Sequence, residues 1–303
     1  MDMPSQASAA RRELPRLERI LCAVDLEQPT PNALSLASFI AERFGAGLEA
    51  LYVGPTATSG DPAVVQRLNQ VVERLGALGT TAQLASGAPA QTILERASSR
   101  CCDLIVLGSR QRSDLGWQFR DDVVRDVSAL ADCATLTVHE RDTPAVLERI
   151  LVPVDFGPAT SSTVDWACAL ATRFGAEVRL LHVVSRERSV VGTQDGAELA
   201  ALERRIASLK IDVGCQVLVA GSVANGIESY NEQGEFDLLV LGLGGEPQTP
   251  TRITRGVVAT LRNRLSIPVL SVRAPSLDAT RPRARAQGQP SPSDRGANAA
   301  LSA

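Results

Sequence analysis

Two aspartates and two glycine-led loops are the residues here whose types and spacing could do chemistry. Asp25 closes the apolar run Ile20-Leu21-Cys22-Ala23-Val24, and Asp155 closes the matching run Ile150-Leu151-Val152-Pro153-Val154. Gly108 and Gly242 each end a later apolar run and open a loop. The second loop runs from Gly242 through Gly244, Gly245, Thr249, Thr251 and Thr254 to Arg255-Gly256-Val257. Glycines let the backbone approach phosphate oxygens, and a following helix N-terminus offers free N–H groups and partial positive charge. The same glycines would also serve to shape a turn, and both readings stand at this point.

Other reactive residue types give less. The six cysteines, Cys22, Cys101, Cys102, Cys133, Cys168 and Cys215, make no CxxC pair, and His139 and His182 lie outside any ligand-like cluster. A structural zinc site wants repeated short Cys or His spacing and is not expected. Cys22, Cys133 and Cys168 read as small core residues. The vicinal pair Cys101-Cys102 closes a helix and would bridge only with strain, so it is expected to be structural. His182, inside Leu180-Leu181-His182-Val183-Val184, reads as packed, and Trp117 reads as a packing or partner residue. No nucleophile–base pair is visible, so an enzyme with its own catalytic base is not expected.

The elements that must position these residues come twice. Residues 20–53 against 150–183 share 13 identities in 34 positions without a gap, including Arg43-Phe44-Gly45-Ala46 on Arg173-Phe174-Gly175-Ala176. Asp103-Leu-Ile-Val-Leu-Gly108 returns as Asp237-Leu-Leu-Val-Leu-Gly242, now displaced by 134 instead of 130. A period this long means duplicated domains and not a solenoid. In the first copy, 19–25, 47–53, 81–86, 103–108 and 135–138 have the apolar character of strands buried on both faces. Between them, 31–44, 61–78, 89–101 and 121–131 have helical spacing, and Gly45 follows one stripe as a C-cap. Strand–helix alternation demands right-handed crossovers and a parallel sheet. The expected fold class is therefore α/β: two tandem five-stranded parallel-sheet sandwiches of Rossmann-like form. The expected domains are 18–141 and 148–273, with 1–17 and the Pro-, Arg- and Ser-rich 274–303 disordered.

Composition narrows the classes further. With 31 Lys plus Arg against 34 Asp plus Glu, the net charge of −3 argues against a nucleic-acid surface. No apolar run reaches the roughly 18 residues of a spanning helix, and residues 1–19 lack a secretory signal, so a cytoplasmic protein with no membrane partner is expected.

Both copies resemble the universal stress protein family, through ILVPVDF, RFGAEVRLLHVV and FDLLVLG in the second and ILCAVDL and CDLIVLGSR in the first. The resemblance covers nearly everything from 18 to 273 and implies an adenine-nucleotide alpha-hydrolase-like fold and a stress-linked regulatory or binding protein. ATP-binding members carry G-x2-G-x9-G-[ST] in the loop, with the first-strand Asp on the adenosine portion; other members bind no nucleotide. By position, Pro153, Val154, Asp155, Val178, Leu241, Gly242, Gly245, Arg255, Gly256 and Val257 match the family's pocket. Arg255-Gly256 departs from G-[ST]: an Arg forks onto phosphate or fills the pocket, and both readings remain open.

The first copy departs further, with Gln111 for the second glycine and Asp121-Asp122 for G-[ST]. A carboxylate about 5 Å from a phosphate charge costs ~3 kcal/mol at an effective dielectric near 20. Either magnesium bridges the two charges, or the acids complement a helix N-terminus and the site is degenerate. The resemblance thus implies ATP or a related adenine nucleotide, with Mg2+, in the second domain only, and at most slow ATP hydrolysis. The alternative is a nucleotide-free module for protein partners. Thr135–Val138 and Val269–Val272 offer matching apolar edges, so the two copies are expected to pair as an intramolecular pseudo-dimer.

Overall fold

The computed structural model describes residues 13–26, 31–54, 61–74, 79–109, 119–140, 146–185, 193–244 and 255–274. The first lobe runs β1 (Arg19–Ala23), α1 (Pro31–Phe44), β2 (Gly47–Gly54), α2 (Pro62–Arg74), β3 (Thr81–Ser86), α3 (Pro89–Ser99), β4 (Leu104–Ser109), α4 (Phe119–Leu130) and β5 (Ala134–His139). The second repeats it as β6 (Arg149–Pro153), α5 (Thr160–Phe174), β7 (Glu177–Ser185), α6 (Thr193–Ala207), β8 (Val213–Ala220), α7 (Val223–Gly234), β9 (Leu238–Leu243), α8 (Arg255–Arg264) and β10 (Val269–Arg273). Strands ordered β3-β2-β1-β4-β5-β10-β9-β6-β7-β8 make one ten-stranded sheet, parallel within each lobe.

The expected edge pairing is present. β5 and β10 run antiparallel, with Thr137 opposite Val269, Leu136 opposite Leu270 and Thr135 opposite Ser271. On the α1/α5 face the apolar core runs unbroken through this junction, from Ile40 and Leu136 to Leu170 and Leu270. There the repeated Arg-Phe pair interlocks across the pseudo-two-fold axis. Phe174 lies 5.0 Å from Phe39, Arg43 stands 5.7 Å over Phe174, and Arg173 stands 5.3 Å over Phe44. Each lobe thus lends a cation to the other's ring, which stabilises only when both copies are present.

The opposite face holds a separate core in each lobe, one around Val127 and Ile105, the other around Leu261 and Leu241. A polar seam divides them. Arg262 donates to Ser128 Oγ at 3.0 Å, Arg273 donates to the Ala129 carbonyl, and the His139 ring meets the Arg262 carbonyl. His139 is thus a structural tie between lobes.

The aspartate that opens each fourth-strand motif has a structural task as well. One oxygen of Asp237 accepts from the N–H groups of Glu148 and Arg149, each at 2.8 Å, and Asp103 does the same for Glu18 and Arg19 at 2.8 and 3.1 Å. Each carboxylate staples the first strand of its lobe to the fourth at the amino edge. Because these groups are exposed, water replaces part of the loss, and Asp237→Ala should cost about 1 kcal/mol. We expect a melting temperature ~2–4 °C lower, with a smaller shift for Asp237→Asn; an unchanged midpoint in the alanine variant would refute the staple.

Candidate functional site

Within each lobe the order of strands reverses between the first and the fourth, and in open α/β sheets ligands bind in the crevice beyond the carboxyl ends at that point. In the second lobe the crevice lies between β6 and β9. Residues 153–155 leave β6 on one side, Leu241 and Gly242 lie near the end of β9 (Leu243) on the other, and α8 starts with Arg255.

The two lobes differ in how far the hydrogen-bonded ladder beside this crevice runs. β1 and β4 stay in register over four rungs, from Ile20 opposite Leu104 to Ala23 opposite Leu107. β6 and β9 pair over two rungs, Ile150 with Leu238 and Leu151 with Leu239. Above Leu151 the hydrogen-bonded ladder stops. Pro153 stands where the first lobe has Ala23, and a proline takes an N–H away from its strand at this end.

Asp155 lies two residues beyond the end of β6, half-buried, so the strand closes earlier than the apolar run suggests. Its Oδ1 accepts from the Gly157 N–H at 2.9 Å and faces the Thr160 hydroxyl at 3.4 Å, shaping the entry to α5. Phe156 between them takes a left-handed φ of 57°, and its ring centroid lies 4.8 Å from that of His182. His182 is buried; its Nδ1–H donates to the Val154 carbonyl at 2.9 Å, and Nε2 lies 3.5 Å from Asp195 Oδ2 on α6. The Val154 N–H in turn donates to Leu181 O at 2.9 Å. The loop carrying Asp155 is therefore tied to β7 from both sides of its peptide.

Gly242 is glycine for a packing reason. A Cβ there would stand 2.8 Å from Thr163 Oγ1 and 3.0 Å from Ala159 Cβ, both in the buried first turn of α5. Its replacement would therefore push on the helix entry that Asp155 shapes. At α8, Gly256 is exposed, Val257 half-buried and Val258 buried.

Of the ten residues expected in this pocket, Pro153, Val154, Asp155, Leu241, Gly242, Gly256 and Val257 come to the carboxyl edge around the crevice, and Arg255 opens α8. Val178 does not join them. It pairs with Ile150 near the amino end of β7, while Leu181 is the residue level with Pro153, so Val178 stands about 10 Å lower in the sheet. The β7 residues at the edge are His182 and Val183. Gly245, the side chain of Arg255, Thr249, Thr251, Thr254, Gln111, Trp117 and the side chain of Asp121 lie outside the described residues, as do 1–12 and 275–303 of the two expected disordered ends. Of the rest, Leu17 is buried in the core and Leu14 packs against it, so the first lobe's order begins before residue 18. Asp195, Thr160 and Thr163 carry no spacing signal in the sequence that would have pointed to the site.

In the first lobe, Asp122 pairs with Arg125 at 2.6 Å on the first turns of α4. This is an i,i+3 ion pair on the helix surface. Among the described residues no group of three or more His, Cys, Asp or Glu is placed to hold a metal ion, and no helix is long and apolar enough to cross a membrane.

Comparison with known proteins agrees with this duplication. A model of the universal stress protein family matches residues 16–139 and again 147–273. A universal stress protein from Archaeoglobus fulgidus is 16% identical with a TM-score of 0.64, over 84% of this chain and 96% of its own. A functionally unknown protein from Pseudomonas aeruginosa PAO1 is 17% identical with a TM-score of 0.62, over 86% of this chain and 93% of its own. At such identities these structures speak to the fold. Among curated proteins, none matches the chain.

Proposed function

The chain belongs to the universal stress protein family, and from that premise we propose that its second lobe binds ATP or a related adenine nucleotide, with Mg2+, while its first lobe does not. The observation that carries this reading is the early end of the β6/β9 ladder at Pro153 beside Asp155, where β6 has no N–H to give β9, against the longer β1/β4 ladder of the first lobe. Asp155 takes the adenosine end. The backbone from Gly242 through Gly245 to Gly256-Val257 and the N-terminus of α8 take the phosphates, and Arg255 adds a positive charge there. A helix N-terminus contributes up to about 1 kcal/mol toward an anion, so the loop's N–H groups supply most of the phosphate contact. Metal bound with the nucleotide would neutralise phosphate charge; the protein groups named here bind and orient. The protein acts as a regulatory binding protein of the stress response, with at most slow hydrolysis. Six cysteines, none in a disulfide, fit a reducing cytoplasm.

Titration calorimetry of the full chain with ATP and Mg2+ tests the reading, and one site per chain is the expected stoichiometry. Two equal sites would refute the asymmetry. No heat at millimolar nucleotide would favour the nucleotide-free interaction module.

A further inference from the structure

We propose that the first lobe carries a second site of different chemistry, a thiol-lined hollow that captures a small apolar electrophile covalently on Cys101. The hollow, open on one side, measures about 240 Å³ at the amino edge of the sheet; Cys101, Cys102 and Cys133 line it with Leu94 and Ala131, and Ser98 and Asp132 add polar groups to its wall. It lies at the end of the strands opposite the Asp25 and Asp155 loops and is independent of nucleotide binding.

The second lobe serves as an internal control for why the space exists. At a displacement of 134, Cys101 corresponds to Glu235, Cys102 to Phe236, Ala131 to Leu265 and Cys133 to Ile267. The backbone is the same in both, since Cys101 has a φ of 51° and Glu235 one of 50°. The side chains differ. Phe236 is buried, lies against Gly234 and stacks on Tyr230 at 5.6 Å, and Leu265 is buried beside it. The first lobe has Arg100 and Arg96 where the second has Gly234 and Tyr230, and small residues in place of the ring and the leucine. What the second lobe fills with an aromatic side chain, the first leaves as a ring-sized space with sulfur in its wall.

The three thiols are not equivalent. Burial pushes the Cys102 thiol up to about 12, with the Glu49 and Asp103 carboxylates adding to it, so Cys102 stays protonated as an inert wall. Cys133 packs against the core of the lobe. Cys101 and Cys133 are both half-buried in the wall of the hollow, but Cys101 lies outside the apolar clusters and is the one not packed on the core. An enone or quinone suits such a place: its ring occupies apolar space while its electrophilic carbon meets the thiolate. The Cys101 sulfur forms the new bond to the β-carbon, the C=C pair moves onto the carbonyl oxygen, and the enolate takes a proton from water. Nothing leaves and no oxidant is required.

The test compares N-phenylmaleimide, an apolar ring, with iodoacetate, which is small and charged, on the full chain, with peptide mapping by mass spectrometry. N-phenylmaleimide should label Cys101 first of the six cysteines, and Cys101→Ser should remove that adduct. Ala131→Leu with Cys133→Ile, which restores the Leu265 and Ile267 part of the second lobe's filling, should slow N-phenylmaleimide at Cys101 at least tenfold while leaving the iodoacetate rate within twofold. Ala131→Leu alone, a gentler filling, should slow it in the same direction. An unchanged N-phenylmaleimide rate in both filled variants, or first labelling at Cys133 or Cys215, would overturn the site.

Discussion

Adenine-nucleotide binding should vanish in Gly245→Val and weaken at least tenfold in Asp155→Ala, while Asp25→Ala should bind as the wild type does. A valine at 245 places a branched side chain on the path by which the loop backbone reaches phosphate, and without those N–H contacts a helix terminus alone holds an anion poorly. Tenfold corresponds to about 1.4 kcal/mol, within the range of one charge-assisted hydrogen bond to the adenosine end. Asp155 also accepts from the Gly157 N–H, so its loss disturbs the loop as well as any ligand contact. Asp155→Asn separates the two, because an amide oxygen still accepts from Gly157. Binding near wild type in the asparagine variant would assign Asp155 to holding the loop. Equal weakening in both would assign the charge to the ligand. In the first lobe, Asp121→Gly with Asp122→Ser should create at most a weaker second site, since Gln111 remains and the β1/β4 ladder stays closed to Ala23. If binding survives Gly245→Val and disappears in Asp25→Ala, the nucleotide belongs to the other lobe.

The sequence showed the duplication because identities survive where the backbone leaves little choice. Ile-Leu-x-x-Val-Asp sits on a strand covered on both faces, and Arg-Phe-Gly-Ala ends a helix on a glycine whose φ is 67° in one copy and 73° in the other. The pairing of lobes was legible as well, as two short apolar strands with unsatisfied edges. The position of Val178 was not. β7 is nine residues long with valines at 178, 183 and 184, and composition does not tell which of them stands level with Asp155; only the register against β6 does. The early end of the β6/β9 ladder was half visible, since Pro153 is plain in the sequence while its effect on the ladder needed the neighbouring strand. The Arg–Phe interlock was equally hidden, because a repeat reveals that two helix ends are alike and says nothing of their meeting. Asp103 and Asp237 served as marks of resemblance, and their N–H staples depend on contacts about 85 residues apart in sequence.

Gly242 is where a reading by motif and a reading by packing diverge, and the two make different predictions. As the first glycine of a phosphate loop, it should tolerate alanine in the folded protein and lose ligand. The structure predicts a loss of stability, because the added Cβ meets Thr163 Oγ1 at 2.8 Å and Ala159 Cβ at 3.0 Å. Overpacking of this kind costs about 1–3 kcal/mol. Gly242→Ala should therefore lower the melting temperature by several degrees, at ~2–4 °C per kcal/mol for domains of this size. Thr163 is buried, and its hydroxyl donates back to the Ala159 carbonyl at 2.8 Å, so Thr163→Ala removes the closer of the two obstacles along with one hydrogen bond. The pair should couple: Gly242→Ala with Thr163→Ala should be more stable than the sum of the single losses by at least 0.5 kcal/mol, the scale seen for residues in direct contact. Additive losses would mean that the clash is relieved elsewhere and that packing does not explain the glycine. Nucleotide titration of the same double variant then isolates the ligand's share. Restored stability with binding still lost would show that this glycine serves the helix entry and the phosphate path together, through the one turn of α5 that both require.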